Sequence, residues 1–585
     1  MQRAIFWGLI GVVCLSPLPL ASNRPLPWSL LALSVGVLLV LWALCRLFEP
    51  RAAAANASGS LQRPPLPYDA GERPLNKYSV AFCLGFALLL GWYGLQISSY
   101  SARFAHPAWA EAATALGEPL IGAISVEPMA GLTLLMKILA YGGIFIMALY
   151  FGRERYRART IFVAVAFSSA AYSAYGLFMH FSGTRLVLWF PKSEYVDSLT
   201  STFINRNSFA TFAAIGVISA LGPILHEFRR LVVGWPGWLR AIQSVSEAGS
   251  GVLYLLMVCV VLNLAALILT GSRGGMVSFG AGLLVFLALM TVLREIRMRQ
   301  FITLLVLTAV VLFGFISVGG GFLGRRMGGD LTAMPEARID LFHVERLAAL
   351  ERPLAGQGLG SFPAAFDRAN DGSAINDTAW VDLAHNSYLE LAIEGGLIGL
   401  AGSLVLLGLM VVLLLRGVFT RGRSTSFAIA GVACCAIVGT HALVDFSFQM
   451  PAVAATFMLL VGAAAGQSLA GAISITQHER LRQANAPIGN DWRGRQVLPG
   501  SAPAIDEVLK PANRTEDLRR LAAELEALVS AHKKPAPRPA EAAAPPAEAP
   551  PPEAPPPLKS VAPVPERPAA KAYKLPRFRG DRESS

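Results

Sequence analysis

GVLYLLMVCVVLNLAALILTGSRGGMVSFGAGLLVFLALMTVL, residues 251–293, is the stretch whose reading decides the fold. It holds two apolar runs, 251–270 and 274–293, with only the turn Gly271–Gly275 between them. About 20 apolar residues in a helix match the hydrocarbon thickness of a bilayer. Two such runs joined by so short a turn predict a pair of membrane-spanning helices. Arg294, Arg297 and Arg299 follow the second run at once. A cluster of arginines there marks an inner loop.

The same criteria applied outward give about twelve spans. Their predicted limits are 4–20, 28–47, 78–97, 129–150, 160–181, 208–225, 251–270, 274–293, 301–318, 388–415, 427–443 and 452–471. The composition agrees: 54% of the 585 residues are hydrophobic and only 15% charged, against about a quarter in soluble proteins. The expected fold class is an all-α polytopic membrane protein. The first run, with Arg3 ahead of it, lacks a clear cleavage site and is read as a retained span.

Arginines and lysines fix the expected orientation. Arg46 to Lys77, Arg153 to Arg159, Arg229 to Arg240, Arg294 to Arg299 and Arg416 to Arg423 fall in alternate loops. These loops are read as cytoplasmic, with both termini inside. The opposite loops, 182–207, 271–275, 319–384 and 444–451, then face the periplasm. The six cysteines all lie in or at apolar runs, so neither a disulfide framework nor a metal cluster is expected. The formal charge of +12 is spread over inner loops and tail. It suits topology and contact with membrane lipids, not nucleic acid.

Three parts follow. Residues 1–200 are N-terminal membrane helices with an inner loop at 48–77. Residues 201–471 form a membrane domain that includes the large periplasmic loop 319–384. Residues 472–585 form a cytoplasmic, mostly disordered Pro/Ala-rich tail with a short helix at 514–531. That helix has Asn513 as its cap and a seam of Leu518, Leu521, Leu525 and Leu528. The tail is a solvated segment or a docking site for a cytoplasmic partner. In loop 319–384 a helix is predicted over Glu336–Glu351, followed by the glycine-spaced run Pro353 to Phe362.

Four polar clusters fall on the predicted outer face. They are Asn205-Arg206-Asn207, Thr270-Gly271-Ser272-Arg273-Gly274-Gly275, His385-Asn386-Ser387-Tyr388 with Glu390 and Glu394, and His441 to Asp445. Polar groups at membrane depth are costly and by default functional. Arg206 and Arg273 run against the positive-inside tendency. Guanidinium groups suit bidentate binding of phosphate oxygens, or they snorkel to lipid headgroups. His385 is placed to accept a proton, or it packs at a helix start capped by Asn386. Glu394, inside a span, needs a partner, and an arginine of the cluster is the expected one. His441 and Asp445 have the spacing of an orienting hydrogen bond or of a purely structural contact. With no Asp-x-Asp pair and no His/Cys metal spacing in the outer loops, a metal-dependent mechanism is disfavoured.

The order of these motifs over about 200–470 resembles the O-antigen ligase superfamily, which also includes O-antigen polymerase-like proteins. The resemblance implies a GT-C-like helical bundle in the bacterial inner membrane. It implies a metal-independent, inverting glycosyltransferase without cofactors, whose donor is a glycan on undecaprenyl pyrophosphate. The acceptor would be lipid A–core, for a ligase, or a growing polysaccharide, for a polymerase. Carried onto this chain, it makes His385 the catalytic group on the acceptor side. Arg206, Arg273 and Arg338 would hold the pyrophosphate. Asn205, Asn207, Ser272, Asn386, Tyr388, Glu394, His441 and Asp445 would support them. Phe342 stands near where many relatives carry tryptophan. Two readings of other classes stand beside it. One is a non-enzymatic transporter of lipid-linked glycans, which predicts internal symmetry and broken helices in matching halves. The other is a scaffold acting through the tail.

Overall fold

The structure is a computed structural model that describes residues 1–48, 77–231, 251–308, 310, 333–370, 381–420 and 425–469. These all belong to the first of two compact units, Met1–Pro487. The loop 49–76, residues 311–332 and the tail with its expected helix 514–531 lie outside the described residues.

The described chain is almost entirely helical. In order come α1 (Gln2–Leu15), α2 (Pro25–Phe48), α3 (Lys77–Ile97), α4 (Ala108–Leu116), α5 (Pro128–Gly152), α6 (Arg155–Phe181) and α7 (Arg206–Leu231). Then come α8 (Gly251–Leu269), α9 (Arg273–Val292) and α10 (Met298–Thr308). Next are α11 (Ala333–Glu351), α12 (Phe362–Ala369), α13 (Ser387–Thr420), α14 (Ser426–His441) and α15 (Pro451–Leu469). Among the described residues nine helices are long and apolar enough to cross a membrane: α2, α3, α5 to α9, α13 and α15. The chain is therefore a multi-pass membrane protein. Predicted spans 4–20 and 427–443 fall on the shorter apolar helices α1 and α14; α10 takes up the start of predicted span 301–318, of which 309 and 311–318 lie outside the described residues. At about 1.5 Å per residue, the 14 residues of α1 and the 16 of α14 reach only about 21 and 24 Å.

Helices α7, α14 and α15 form the centre. The stretch 208–225 of α7 and most of α14 and α15 are apolar and buried, as expected of helices with little face left for solvent or lipid. Small residues let the helices approach. A side chain on Gly462 would meet the Phe145 carbonyl at 2.7 Å, so α15 lies directly along the α5 backbone. Close backbone approach of this kind drives helix association in lipid. Asn263 of α8 supplies polar glue: it donates to Cys259 O (2.8 Å) and Ser169 Oγ (3.2 Å) and accepts from Ser173 Oγ (2.9 Å).

The two ends of the bundle differ. At one end Arg46 meets Tyr150, Gln467 donates to the Gly152 and Arg153 carbonyls, and Arg159 pairs with Glu227 at 2.9 Å. The four polar clusters gather at the other end, as described below.

Three local features depart from the expected pattern. The predicted span 388–415 is not one straight helix, because α13 is broken at Gly396 (φ 63°, ψ −168°). The first predicted span stops being α-helical at Leu15. And the 182–207 loop carries a two-stranded antiparallel hairpin, β1 (Leu186–Val187) with β2 (Phe190–Pro191), in an otherwise helical chain. Its turn forces Leu188 to φ 57°, and the Tyr175 hydroxyl accepts from the Leu188 amide at 3.1 Å.

Candidate functional site

Two of the predicted arginines open two neighbouring helices. Arg206 is the first residue of α7 and Arg273 the first of α9. Each is preceded by its own cap. Asn205 Oδ1 accepts from the Asn207 amide (2.7 Å), and Ser272 Oγ accepts from the Gly275 amide (3.1 Å). The caps are why the helices begin there, since Asn and Ser offer an oxygen to otherwise orphaned amides. The two starts touch: a side chain on Gly275 would meet Ala210 Cβ at 2.5 Å. Leu199 N–H donates to Leu269 O (3.2 Å), which ties the 182–205 loop to the same corner. Two helix N-termini side by side present positive dipole ends and amide donors to one spot.

The two guanidinium groups are held differently. Arg206 donates to Ser198 Oγ (3.1 Å) and stacks over the Tyr195 ring at 5.1 Å. Lys192 reaches the same residue, donating to Ser198 O at 2.9 Å. Arg273 is exposed. Arg338 lies in α11, and its side chain falls outside the described residues.

The turn after α14 connects the clusters. Asn207 Nδ2 donates to Asp445 Oδ2, and Asp445 Oδ1 accepts from the Phe446 amide (2.7 Å). Gly274 lies against Val444 and His441, so that a Cβ there would sit 3.6 Å from His441 Nε2. His441 is the last residue of α14 and only 1% exposed. The expected one-turn relation between His441 and Asp445 is kept in the backbone, where Asp445 N–H donates to His441 O at 3.0 Å, while the Asp445 carboxylate accepts from Asn207 of α7.

The His385 stretch is sewn to that same turn. Ser387 N–H donates to Ala442 O (2.9 Å), Ser387 Oγ to Asp445 O (3.2 Å), and Tyr388 OH to Gly439 O (2.8 Å). Asn386 caps α13: its Oδ1 accepts from the Tyr388 and Leu389 amides at 3.0 and 3.1 Å. His385, half-buried, sits just ahead of the cap with its ring edge-on to Phe446 at 5.4 Å. All four clusters therefore meet at one end of the bundle.

Among the described residues no arginine pairs with Glu394, and the Arg338 side chain lies outside them. Glu394 Oε1 accepts from the Phe362 amide at 3.3 Å. The reason is the break at Gly396, which frees the carbonyls of Ile393, Glu394 and Gly395. The glycine run of loop 319–384 fills the gap. Gln357 N–H donates to Ile393 O (2.8 Å), Gly358 N–H to Glu394 O (2.9 Å), and Leu397 N–H to Pro353 O (2.8 Å). Gln96 Nε2 donates to Ala355 O (2.7 Å) and Glu394 O (3.1 Å), and Trp92 Nε1 to Gly395 O (3.2 Å). Irregular backbone at membrane depth survives only where protein groups satisfy it in this way.

Two features went unread in the sequence. The segment 98–127 lies against the glycine run: Val126 N–H donates to Gln357 O (3.0 Å), and Arg352 Nη2 to Phe104 O (2.9 Å). Arg368 of α12 clamps Glu111 of α4 with two bonds (2.8 and 3.0 Å) and Glu351 with a third (3.1 Å). These partners hold the Arg368 guanidinium above its usual range and Glu111 below its own. His106 is buried, with Nε2 4.0 Å from Glu351, and burial and the nearby Arg352 depress its pKa. The second feature is Glu345 of α11, which is 0% exposed beneath the 384–386 turn. Burial raises its pKa to about 7, and the His385 backbone amide offsets only part of that. The signal was present: Leu341, Val344, Glu345 and Ala348 share one helix face, which packs on Ala384 and Phe366.

Fold and site define a multi-pass helical membrane protein with an anion-suited polar corner at one end of its bundle. Residues 258–404 match the family model described as O-antigen ligase. That segment bears out the resemblance to the O-antigen ligase-like superfamily, whose members are glycosyltransferase-like ligases and polymerases. Arg273, Arg338, His385 and Glu394 fall inside the match; Arg206 and His441 lie outside it. No curated protein matches the chain.

Proposed function

We propose that this protein is an inverting, metal-independent glycosyltransferase of the bacterial inner membrane, with both termini cytoplasmic. It moves a glycan from undecaprenyl pyrophosphate to an acceptor hydroxyl at the periplasmic face. The observation that carries this reading is the corner where α7 and α9 begin. Capped N-termini and the Arg206 and Arg273 guanidinium groups lie next to the turn that holds His385.

The chemistry follows from the residues. A glycosyl pyrophosphate already has a good leaving group. Arg206, Arg273 and the helix-start amides stabilise the negative charge that grows on it as the anomeric C–O bond breaks. His385 takes the proton of the attacking hydroxyl, a contribution of about 10²–10⁴-fold. The new C–O bond forms on the opposite side of the anomeric carbon, which inverts its configuration. Asn386 and Ser387 fix the His385 backbone, while Asn207 and Asp445 lock α7 to the turn behind it. Arg338 belongs to the pyrophosphate set by family resemblance.

Purified protein supplied with undecaprenyl-pyrophosphate glycan and lipid A–core should transfer the glycan. Arg273→Ala, at an exposed position, and His385→Ala should each lower turnover about 100-fold. Unchanged turnover in both removes the mechanism. Loss of all capped lipopolysaccharide in a deletion strain marks a ligase, whereas single-repeat caps mark a polymerase.

A further inference from the structure

Glu345 stands apart from the other carboxylates near the candidate site. Glu390 accepts from the Ala384 amide at 3.0 Å and from Gln449 Nε2, and Glu394 from the Phe362 amide. Glu345 is as deeply buried, yet neither carboxylate oxygen has a hydrogen bond of ordinary geometry. A buried carboxyl left this way costs folding energy. An apolar residue would suit the surrounding face of Leu341, Val344 and Ala348 better. What the carboxylate faces is the backbone amide of His385.

We propose that Glu345 is the positioning residue of His385, its carboxylate drawing on the backbone of the 384–386 turn and setting the proton affinity of the imidazole. The proposal deepens the glycosyl-transfer reading and rests on it for the role of the imidazole. An ionised carboxylate close to an imidazole favours the protonated ring and so makes the neutral ring a stronger base. In a buried site that attraction is weakly screened. Burial keeps Glu345 titrating near neutrality, so its charge changes in the range where a histidine works. The charged groups on the packed elements are Glu390 and Glu394 on α13, Asp367 and Arg368 on α12 (Arg368 committed to Glu111 and Glu351), and Asp382 and His385 in the turn.

The test uses the full chain in detergent with Glu345→Gln and Glu345→Leu. The first readout needs no substrate. Diethyl pyrocarbonate modifies neutral imidazole, and peptide mass spectrometry reads His385 across pH. The midpoint of labelling should fall by at least half a pH unit in Glu345→Gln. The second readout is glycan transfer, which should fall at least tenfold in both variants while their melting temperatures equal or exceed that of the parent. An unmoved labelling midpoint in a folded Glu345→Gln overturns the proposal. So does turnover that stays at the parent level, or that falls only in step with loss of folded protein. If the parent itself transfers no glycan, the proposed reaction fails, and the labelling midpoint still decides the role of Glu345.

Discussion

Replacing Gly356 with alanine should undock the glycine run from α13. Gly356 sits at φ +72°, where an L-residue costs about 1–2 kcal/mol. Its new methyl would lie well inside 3.0 Å of Glu394 O and Gly396 N. Both are backbone atoms of the broken helix, so no side chain can turn away. Relief requires the loop to retreat by about 1 Å. Gln357 N–H to Ile393 O and Gly358 N–H to Glu394 O, now 2.8 and 2.9 Å, would then pass beyond hydrogen-bonding distance. Counted once per lost bond, at about 1–3 kcal/mol each, and with the backbone cost, the sum is roughly 3–8 kcal/mol. Gly408→Ala is the control. It lies in the same helix with nothing within 4 Å of a new methyl, and gains about 0.5–1 kcal/mol of helix propensity. Melting of the detergent-purified proteins, with limited proteolysis of the 319–384 loop, reads both. Gly356→Ala should melt several degrees lower and be cut faster. If it melts and resists protease as Gly408→Ala does, the glycine run does not hold the break and the reasoning fails.

Two further outcomes follow from the same structure. Asn207→Ala removes one of the two hydrogen bonds that the Asp445 carboxylate, 2% exposed, accepts among the described residues, the other coming from the Phe446 amide, and should cost about 1–3 kcal/mol; Asn207→Asp, which faces one carboxylate with another, should cost more, and equal melting of parent and both variants would refute it. His106 is buried with a depressed pKa, so its contribution to stability is present above the unfolded value of about 6.5 and is lost as pH falls through the lower folded value. Acidification should therefore loosen 98–127 from α11 and α12, seen as faster hydrogen exchange there, and His106→Gln should remove most of that acid sensitivity; unchanged acid sensitivity in the variant counts against it.

What the sequence made legible was local. Run length announced the helices, and Asn205, Ser272 and Asn386 announced three of their starts, because a cap acts on amides two or three residues away. What it hid was non-local. The Leu397 run looks continuous with what precedes it, and the break at Gly396 exists only because a glycine run about 40 residues earlier supplies the missing bonds. Asp445 keeps its helical backbone bond to His441, yet its carboxylate accepts from Asn207, in a different helix. Glu345 was readable in principle. A carboxylate on the apolar face of a predicted helix is a contradiction within the sequence itself. The docking of 98–127 on the glycine run likewise rests on backbone bonds, such as Val126 N–H to Gln357 O, that no residue type encodes.

The break in α13 also decides what a change near the loop can do to the site. Downstream of Gly396, α13 is a long apolar helix packed on α3 and α14. Upstream it is a stub of two turns, Ser387 to Gly395, carrying Glu390 and Glu394 behind the His385 cap. A continuous helix would pass rigidity from the membrane core to that stub. Across a residue at φ 63° it passes little, because the intrahelical bonds that would carry it are replaced by bonds to Pro353, Gln357 and Gly358. The stub is therefore positioned from three directions: the glycine run, the 441–446 turn through Ser387, and the α11 face through Ala384. Two of the three belong to loop 319–384. A ligand that bears on that loop would bear on His385 through the same bonds, with no helix of the bundle having to move.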